Sequence, residues 1–592
     1  MRPCELSASQ PLRWKPRASR GNLQVVRDLS RAVTAMPILL VVVRTLAICC
    51  LTGTALCAQA PSRAEVLAAM KKASTFYTQQ VSKEGGYHYT YTDDLSYGRS
   101  EHGDGLSQVE TQREGTPRVG MALLEAYAAT GDRFYLEAAR RTAHALVQGQ
   151  LCTGGWDYTI EFDPALRKKY PYRVEHDCAS QAGAKPPTTL DDNVTQACLR
   201  LMMRVDRELA FKDAKIHEAA LFALDQLMKA QYANGAWPQR YTAFDGPAAH
   251  QPRQASYPST WSRKWPGEVY QGHYTFNDNA IADDIDLFLE AARIYGDQRY
   301  RATAEKGGGF ILMAQMPEPQ PAWAQQYDAD MHPAWARLFE PPSVTGGESQ
   351  GIIELLMVLY RETGERKYLD AAGPALAWLE KSVLPWPASP SEAWRRQRQG
   401  EPVMARFYEL QTNRPLFITK GTQVQAKGLG SIRPDGYALS YSDESVIAHY
   451  GVLTSGARLK VLRKEYDELR AAGKPTPRPD RLHGLSPWNE KQDYQPKQPK
   501  PEVLRNLIAS MDARGAWIEE GVIGRTNKVI QVTAARAMML TINGKPIEIN
   551  ENDRIELYQG AQPPRSRIIR STRFAGNLET LAAALQPTGE AR

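Results

Sequence analysis

The sequence predicts a mainly α protein, a solenoid or α/α toroid of repeated helical hairpins with a small β-containing module at its C-terminal end. Three observations predict it. Apolar residues recur at helical spacing through the middle of the chain, similar strings end every second helix, and β-branched runs with a turn signal come only after residue 500.

The helices come first. Val119, Ala122, Leu123, Ala126 and Tyr127 form one apolar stripe. Val194, Ala197, Cys198, Leu201 and Met202 form another, and Ile352, Leu355, Leu356, Leu359 and Tyr360 a third. Ile281, Ile285, Phe288 and Leu289 are a sparser version. One stripe per helix is what packing against a neighbour needs. Three of these helices run into Gly131-Asp132, Gly296-Asp297 and Gly364-Glu365, where glycine suits a helix C-cap before a second helix starts.

The second helices end in Gln150–Trp156 (QLCTGGW), Gln231–Trp237 (QYANGAW) and Gln315–Trp323 (QMPEPQPAW). An aromatic residue and an aspartate follow each: Phe162-Asp163, Phe244-Asp245 and Tyr327-Asp328. The unit is helix, glycine turn, helix, long loop, and stacking such units gathers the loops around one cleft. The tryptophans either stack on sugars in that cleft or pack loop against helix. Residues 61–470 are expected to form this helical domain, and 471–500, rich in proline and charge, a linker. Residues 501–592 carry the β-branched run, an Asn543-Gly544 hairpin signal and a helix near Leu578–Leu585.

The 592 residues are 42% hydrophobic and 23% charged, which excludes disorder or a fibre as the main state. The formal net charge is +7, but residues 1–60 hold eight basic and two acidic side chains, so the remainder is nearly neutral. No nucleic-acid partner is expected on that balance. From Met36, which is a candidate start, an apolar stretch broken by Arg44 runs to Ala58-Gln59-Ala60, the pattern of a secretory signal rather than a stable membrane span. Secretion or a periplasmic location follows as an expectation. Cys152 and Cys178 flank a long loop and suit a disulfide there, whereas Cys198 reads as a core residue.

The first helix of each hairpin starts on polar residues: Arg118, Asp191-Asp192-Asn193, Asn277-Asp278-Asn279 and Glu348-Ser349. If the hairpins are equivalent, these lie on one rim. Asp, Asn and Ser are the preferred N-caps, which is the simple account of them. Two successive acids or amides exceed what one cap needs, and that tips Asp278 towards function. Asp278 with Asp328 and nearby amide oxygens suits a hard cation such as calcium. Arg337, Arg406, Arg414 and Arg433 follow in non-periodic segments.

Several strings resemble the family 10 polysaccharide lyases, which are pectate lyases: YTFNDNA (274–280), PAWAQQYD (321–328), WARLFEPPSVTGGES (335–349), ARFYELQTNRPLF (405–417) and STRFAGNLETL (571–581). The resemblance implies an incomplete α/α barrel and a lyase that cuts α-1,4-polygalacturonate by anti β-elimination with Ca2+. It implies Asp278 and Asp328 as metal ligands and Arg406 as the base. It leaves Asn277, Trp323, Arg337, Glu348, Arg414 and Arg433 as substrate-binding candidates. An arginine base would need surrounding positive charge to lower its pKa. SIRPDGYALSY (431–441) departs from the family's usual string. A monomer acting on an acidic polysaccharide is expected. The competing readings are an α/α-toroid glycoside hydrolase with a carboxylate pair, or a non-catalytic protein that binds acidic polysaccharide.

Overall fold

The computed structural model describes residues 60–586, apart from the internal stretches 247–248, 268–269, 271, 385–400, 421–423, 427–429, 433–436, 443–452, 477–497 and short turns between 525 and 564. The expected leader, Arg433 and most of the proline-rich linker therefore lie outside the described residues. The described residues belong to one compact unit that begins at Ala60. No described helix is long and apolar enough to cross a membrane.

Twelve described helices follow in order: α1 Arg63–Phe76, α2 Thr116–Thr130, α3 Arg133–Gly149, α4 Val194–Glu208, α5 Ala214–Ala230, α6 Ala280–Tyr295, α7 Gln298–Met313, α8 Glu348–Thr363, α9 Arg366–Lys381, α10 Leu459–Ala472, α11 Pro501–Ala509 and α12 Ser571–Ala583. Neighbouring hairpins pack side by side, α2 on α4, α4 on α6 and α6 on α8 inside, with α3, α5, α7 and α9 outside. The fold is the expected α/α toroid. Gly131, Gly296 and Gly364 are the turn residues, each left-handed with φ between 69° and 77°.

The inner helices depart from the one-stripe expectation. α4, α6 and α8 are buried on nearly every side, and their second face is charged. Arg200 donates to Asp286 at 2.9 Å and Arg204 to Glu290 at 2.6 Å, both across the α4–α6 contact and both buried. That explains the sparse apolar pattern at 281–289: acidic residues of the same helix pair with arginines of its neighbour. Such pairs satisfy buried charge rather than add much net stability.

The long loops are built alike. Each of these inner helices is preceded by a short strand that pairs antiparallel with a strand following the outer helix of the same hairpin. These pairs are Gln108–Glu110 with Thr159–Glu161, Thr188–Thr189 with Arg240–Tyr241, Tyr274–Thr275 with Gln326–Tyr327, and Val344–Thr345 with Phe407–Tyr408. Four small sheets thus line one rim, and each aims the start of an inner helix at the cleft.

The repeated glutamines and tryptophans hold the hairpins together. Gln150 Nε2 donates to Gly154 O and, at 2.9 Å, to Ala219 O of α5; Gln231 does the same to Gly235 O and Thr303 O of α7; Gln315 to Pro321 O and Ala371 O of α9. Each glutamine caps its own tip and the next outer helix. The indoles of Trp156, Trp237 and Trp323 are buried and donate to Leu146 O, Leu227 O and Ile311 O. Of the two roles open to them, packing is the one the fold uses.

Two further copies of the tip lack the full sequence signature. One is Gly85-Gly86-Tyr87 after α1, the other Asp512–Trp517 after α11, where Trp517 donates to Leu507 O at 2.9 Å. In both, a glycine at positive φ lies against the next outer helix: a Cβ on Gly85 would sit 2.3 Å from Arg141 O, and one on Gly515 2.7 Å from Lys72 O. The C-terminal segment returns to the start of the helical body. Arg565–Arg570 pairs with Thr90–Thr92 and with Ile518–Val522, and α12 packs on α1 and α2. Between them, Met538–Ile542 pairs with Lys545–Ile549, Ile542 opposite Lys545, while the Asn543-Gly544 signal itself lies outside the described residues. Cys152 and Cys178 are bridged, and Cys198 is buried.

Candidate active site

The rim sheets deliver two equivalent turns to one point. Asp191–Asn193 leads into α4 and Asn277–Asn279 into α6, each as a single 3-10 turn. Asp192 and Asn193 are left-handed at φ 52° and 57°, and Asp278 and Asn279 at φ 48° and 64°. Neither asparagine that precedes its helix makes a side-chain cap. Capping therefore does not explain these residues. Two consecutive non-glycine residues in the left-handed region are uncommon and strained, and the strain recurs at equivalent positions.

What the turns achieve is a meeting of carboxylates. Asp191, Asp192 and Asp278 each bring an oxygen within 4.8 Å of the others. Asp191 Oδ1 is buried with no hydrogen-bond partner. Surrounding protein and then the charges of Asp191 and Asp192 push the Asp278 carboxyl up to about 8. Burial and the Asp191 charge push Asp192 up to about 6. Crowded all-oxygen donors of this kind suit a hard divalent cation, which removes the repulsion that raises the pKa values. The residues present fit calcium.

Asp278 therefore groups with Asp191 and Asp192, and the expected partner Asp328 is not one of the three. The Oδ1 of Asp328 accepts the backbone N–H of Asp330 and of His332, both at 2.9 Å. Asp163, at the equivalent place in an earlier unit, caps its turn the same way, accepting from Ala165 and Leu166. In these two units the aspartate of the repeat is a turn residue, whereas Asp245 bonds the His250 ring at 2.9 Å.

Next to the carboxylates stands Arg406, immediately before the Phe407–Tyr408 strand. Its Nη2 donates to Glu348 Oε1 at 2.6 Å and to Asn277 Oδ1 at 2.7 Å, and its Nε to Glu348 at 3.2 Å. Asn277 in turn donates to Asp278. Four of the predicted residues thus form one chain: Glu348, Arg406, Asn277, Asp278. Burial pulls the Arg406 pKa down, but Glu348, Asp278 and Glu340 outweigh it, and the guanidinium sits above its ordinary value. The positive surroundings expected for an arginine base are not supplied by the protein alone.

Arg337 lies on the same side, held bidentately by Glu340 at 2.8 and 3.0 Å, and its charge reaches Asp278. Arg414 is exposed and packs its guanidinium 3.5 Å from the centre of the Tyr441 ring. Trp323 is fully buried and has no face to offer a sugar, which removes it from the binding candidates. Three residues of the rim escaped sequence reasoning: His102, Tyr158 and Arg240. Tyr158 and Arg240 follow Trp156 and Trp237 by two and three positions, and aligning the loops past the tryptophans would have drawn attention to them.

Residues 165–446 match the model of the pectic acid lyase family, the family that the motifs resemble. No curated protein matches the chain. A family 10 polysaccharide lyase from Cellvibrio cellulosa is 22% identical over 51% of this chain and 84% of its own, with a TM-score of 0.35. A mutant family 10 lyase from the same organism, solved with trigalacturonic acid, is 19% identical over 60% and 98%, with a TM-score of 0.38. A cellobiose 2-epimerase from Bacillus thermoamylovorans is 10% identical over 87% and 98%, with a TM-score of 0.36.

Proposed function

We propose that the protein is a secreted pectate lyase that cleaves α-1,4-polygalacturonate by anti β-elimination, with Arg406 as the base and calcium held by Asp191, Asp192 and Asp278. The observation that carries the reading is the juxtaposition of those three carboxylates with Arg406 through Asn277, inside the segment that matches the pectic acid lyase family. The apolar leader and the Cys152–Cys178 bridge support secretion.

The chemistry needs a weakly acidic C5 proton removed and a glycosidic oxygen expelled. A bound cation supplies neutralisation of the galacturonate carboxylate, which lowers the cost of charge developing at C5. Asp191, Asp192 and Asp278 would fix that carboxylate's position, and Asn277 keeps Asp278 in register with Arg406. Arg337 offers a second positive charge on the same side. A neutral Arg406 takes the proton from C5; the C5–H electron pair becomes the C4–C5 double bond, and the C4–oxygen bond breaks. The leaving oxygen is protonated from solvent. Glu348 orients the guanidinium and holds it charged at rest, so the neutral form is scarce; a cation held by Asp191, Asp192 and Asp278 would add positive charge beside it. Turnover is therefore expected to climb with pH above neutrality.

The test is incubation of the chain with polygalacturonate, with and without calcium, following the ultraviolet absorbance of the new C4–C5 double bond. Calcium-dependent absorbance is expected. Arg406→Ala should lower kcat by about 10²–10⁴-fold, the range for loss of a general base. Reducing ends without absorbance would favour hydrolysis, and oligosaccharide binding without turnover would favour a binding protein.

A further inference from the structure

Residues N-terminal to the matched segment also reach the rim. His102, in the loop before α2, lies flat on Tyr158, with ring centroids 3.7 Å apart and planes at 20°. Tyr158 is buried, whereas His102 is exposed. The Tyr158 hydroxyl donates to Asp192 at 3.0 Å and accepts from Arg240 Nη2 at 2.7 Å. Arg240 lies over the same ring, its Cζ 5.0 Å from the centre, and Nη2 also reaches Asp191 at 3.3 Å. The Arg240 side chain is one-third exposed, and its Nε is buried without a partner. Besides Asp191 and Asp192, the charges of Glu101 and Asp157 act on His102, and that of Asp157 on Arg240.

We propose that Arg240 and the His102–Tyr158 stack form a second uronate subsite, in which Arg240 binds the carboxylate of the sugar next to the one held at the three aspartates and the exposed His102 ring carries that sugar's ring. The proposal rests on the acidic-polysaccharide reading above. A polyuronate presents one carboxylate per sugar, so a second cationic group beside the first carboxylate site is what a continuous chain needs. Arg240 flanks the aspartates on the Asp191 side, and Arg406 flanks them through Asn277 on the other. A guanidinium with donors to spare pairs well with carboxylate geometry, and an aromatic face suits the apolar side of a sugar. A purely structural Arg240 would do no more than neutralise Asp191.

Trigalacturonate and its methyl ester are titrated calorimetrically into the full chain, with Arg406→Ala as background wherever turnover interferes. Calcium is titrated alone in parallel. Arg240→Gln should weaken the free acid about tenfold, leave the ester within about twofold, and leave calcium affinity within about twofold. His102→Ala, which touches none of the carboxylates, should weaken acid and ester alike by about threefold to tenfold. Unchanged trigalacturonate affinity in both variants overturns the proposal, and so does an acid-specific loss matched by an equally large change in calcium affinity in either direction, which would assign Arg240 to Asp191 alone. If the unmodified chain neither binds nor cleaves any oligogalacturonate, the lyase reading itself fails.

Discussion

Asp278 is where strain, charge crowding and function meet. Its left-handed backbone and the two carboxylates beside it cost stability in the metal-free protein, on the order of 1–3 kcal/mol for the backbone conformation. The sign of the pH effect follows. An acid whose folded pKa is raised binds more protons folded than unfolded, so stability falls as pH rises from its unfolded value to its folded one. For Asp278 that window runs from the ordinary carboxyl range to about 8, and for Asp192 to about 6. Glu110, raised by burial to about 8, and Glu579, raised by burial to about 7, slope the same way. Thermal unfolding in a chelator should therefore show a melting temperature that declines from pH 5 to pH 8, and calcium should restore it most at the upper end. Asp278→Asn should flatten part of that decline and abolish most of the calcium response. A melting temperature that rises across this range, or a full calcium response in the variant, would discard the three-aspartate cation site. The polar turns were legible in the sequence because paired acids and amides exceed a cap's needs. That Asp278 joins Asp191 rather than Asp328 was not, since it depends on the rim sheets and not on spacing along the chain.

At the scale of the hairpin, the Gln-to-Trp repeat was the most readable feature, yet its role was not. Glutamine and tryptophan in a loop beside a cleft look like ligand contacts, and only the positions of Ala219, Thr303 and Ala371 show that the amides join successive outer helices. Replacing one glutamine leaves two carbonyls short of a donor. Gln231→Ala should cost about 1–3 kcal/mol, the penalty for stranding largely buried acceptors, while kcat stays unchanged. Gly235→Ala should cost more, because φ is +96° and a Cβ would lie 2.3 Å from Lys306 O. Denaturant unfolding followed by circular dichroism checks both. A glutamine variant as stable as the parent but slower in turnover would move that residue from the scaffold to the site. The copies at Gly85 and Gly515 escaped notice because tyrosine replaces tryptophan in the first and the second lies beyond a proline-rich stretch.

For the whole molecule, the open question is what residues 501–592 contribute, since their composition reads as a separate β-containing module while their described ends bind elsewhere. Arg565–Arg570 pairs with Thr90–Thr92, the Ser571 hydroxyl shares a 2.8 Å hydrogen bond with the buried Tyr77 hydroxyl, and Phe574 stacks on Tyr77 at 3.9 Å. Arg118 on α2 donates to Glu579 on α12 at 2.7 Å, with both side chains mostly buried. Loss of the segment would remove the Arg118–Glu579 pair and open the apolar faces of α1 and α2, which are too large to leave wet. The first hairpin would loosen, and with it the loop that carries His102. Because Asp191, Asp278 and Arg406 belong to later units, the three-aspartate site should survive in outline. A chain ending at residue 500 should therefore unfold in two stages, with residues 60–115 protected least against amide exchange. It should retain calcium binding and lose affinity for trigalacturonate. If that chain melts in one step at the parent's temperature and cleaves polygalacturonate at the parent's rate, the C-terminal segment is an independent appendage and the closure it makes with α1 and α2 is incidental.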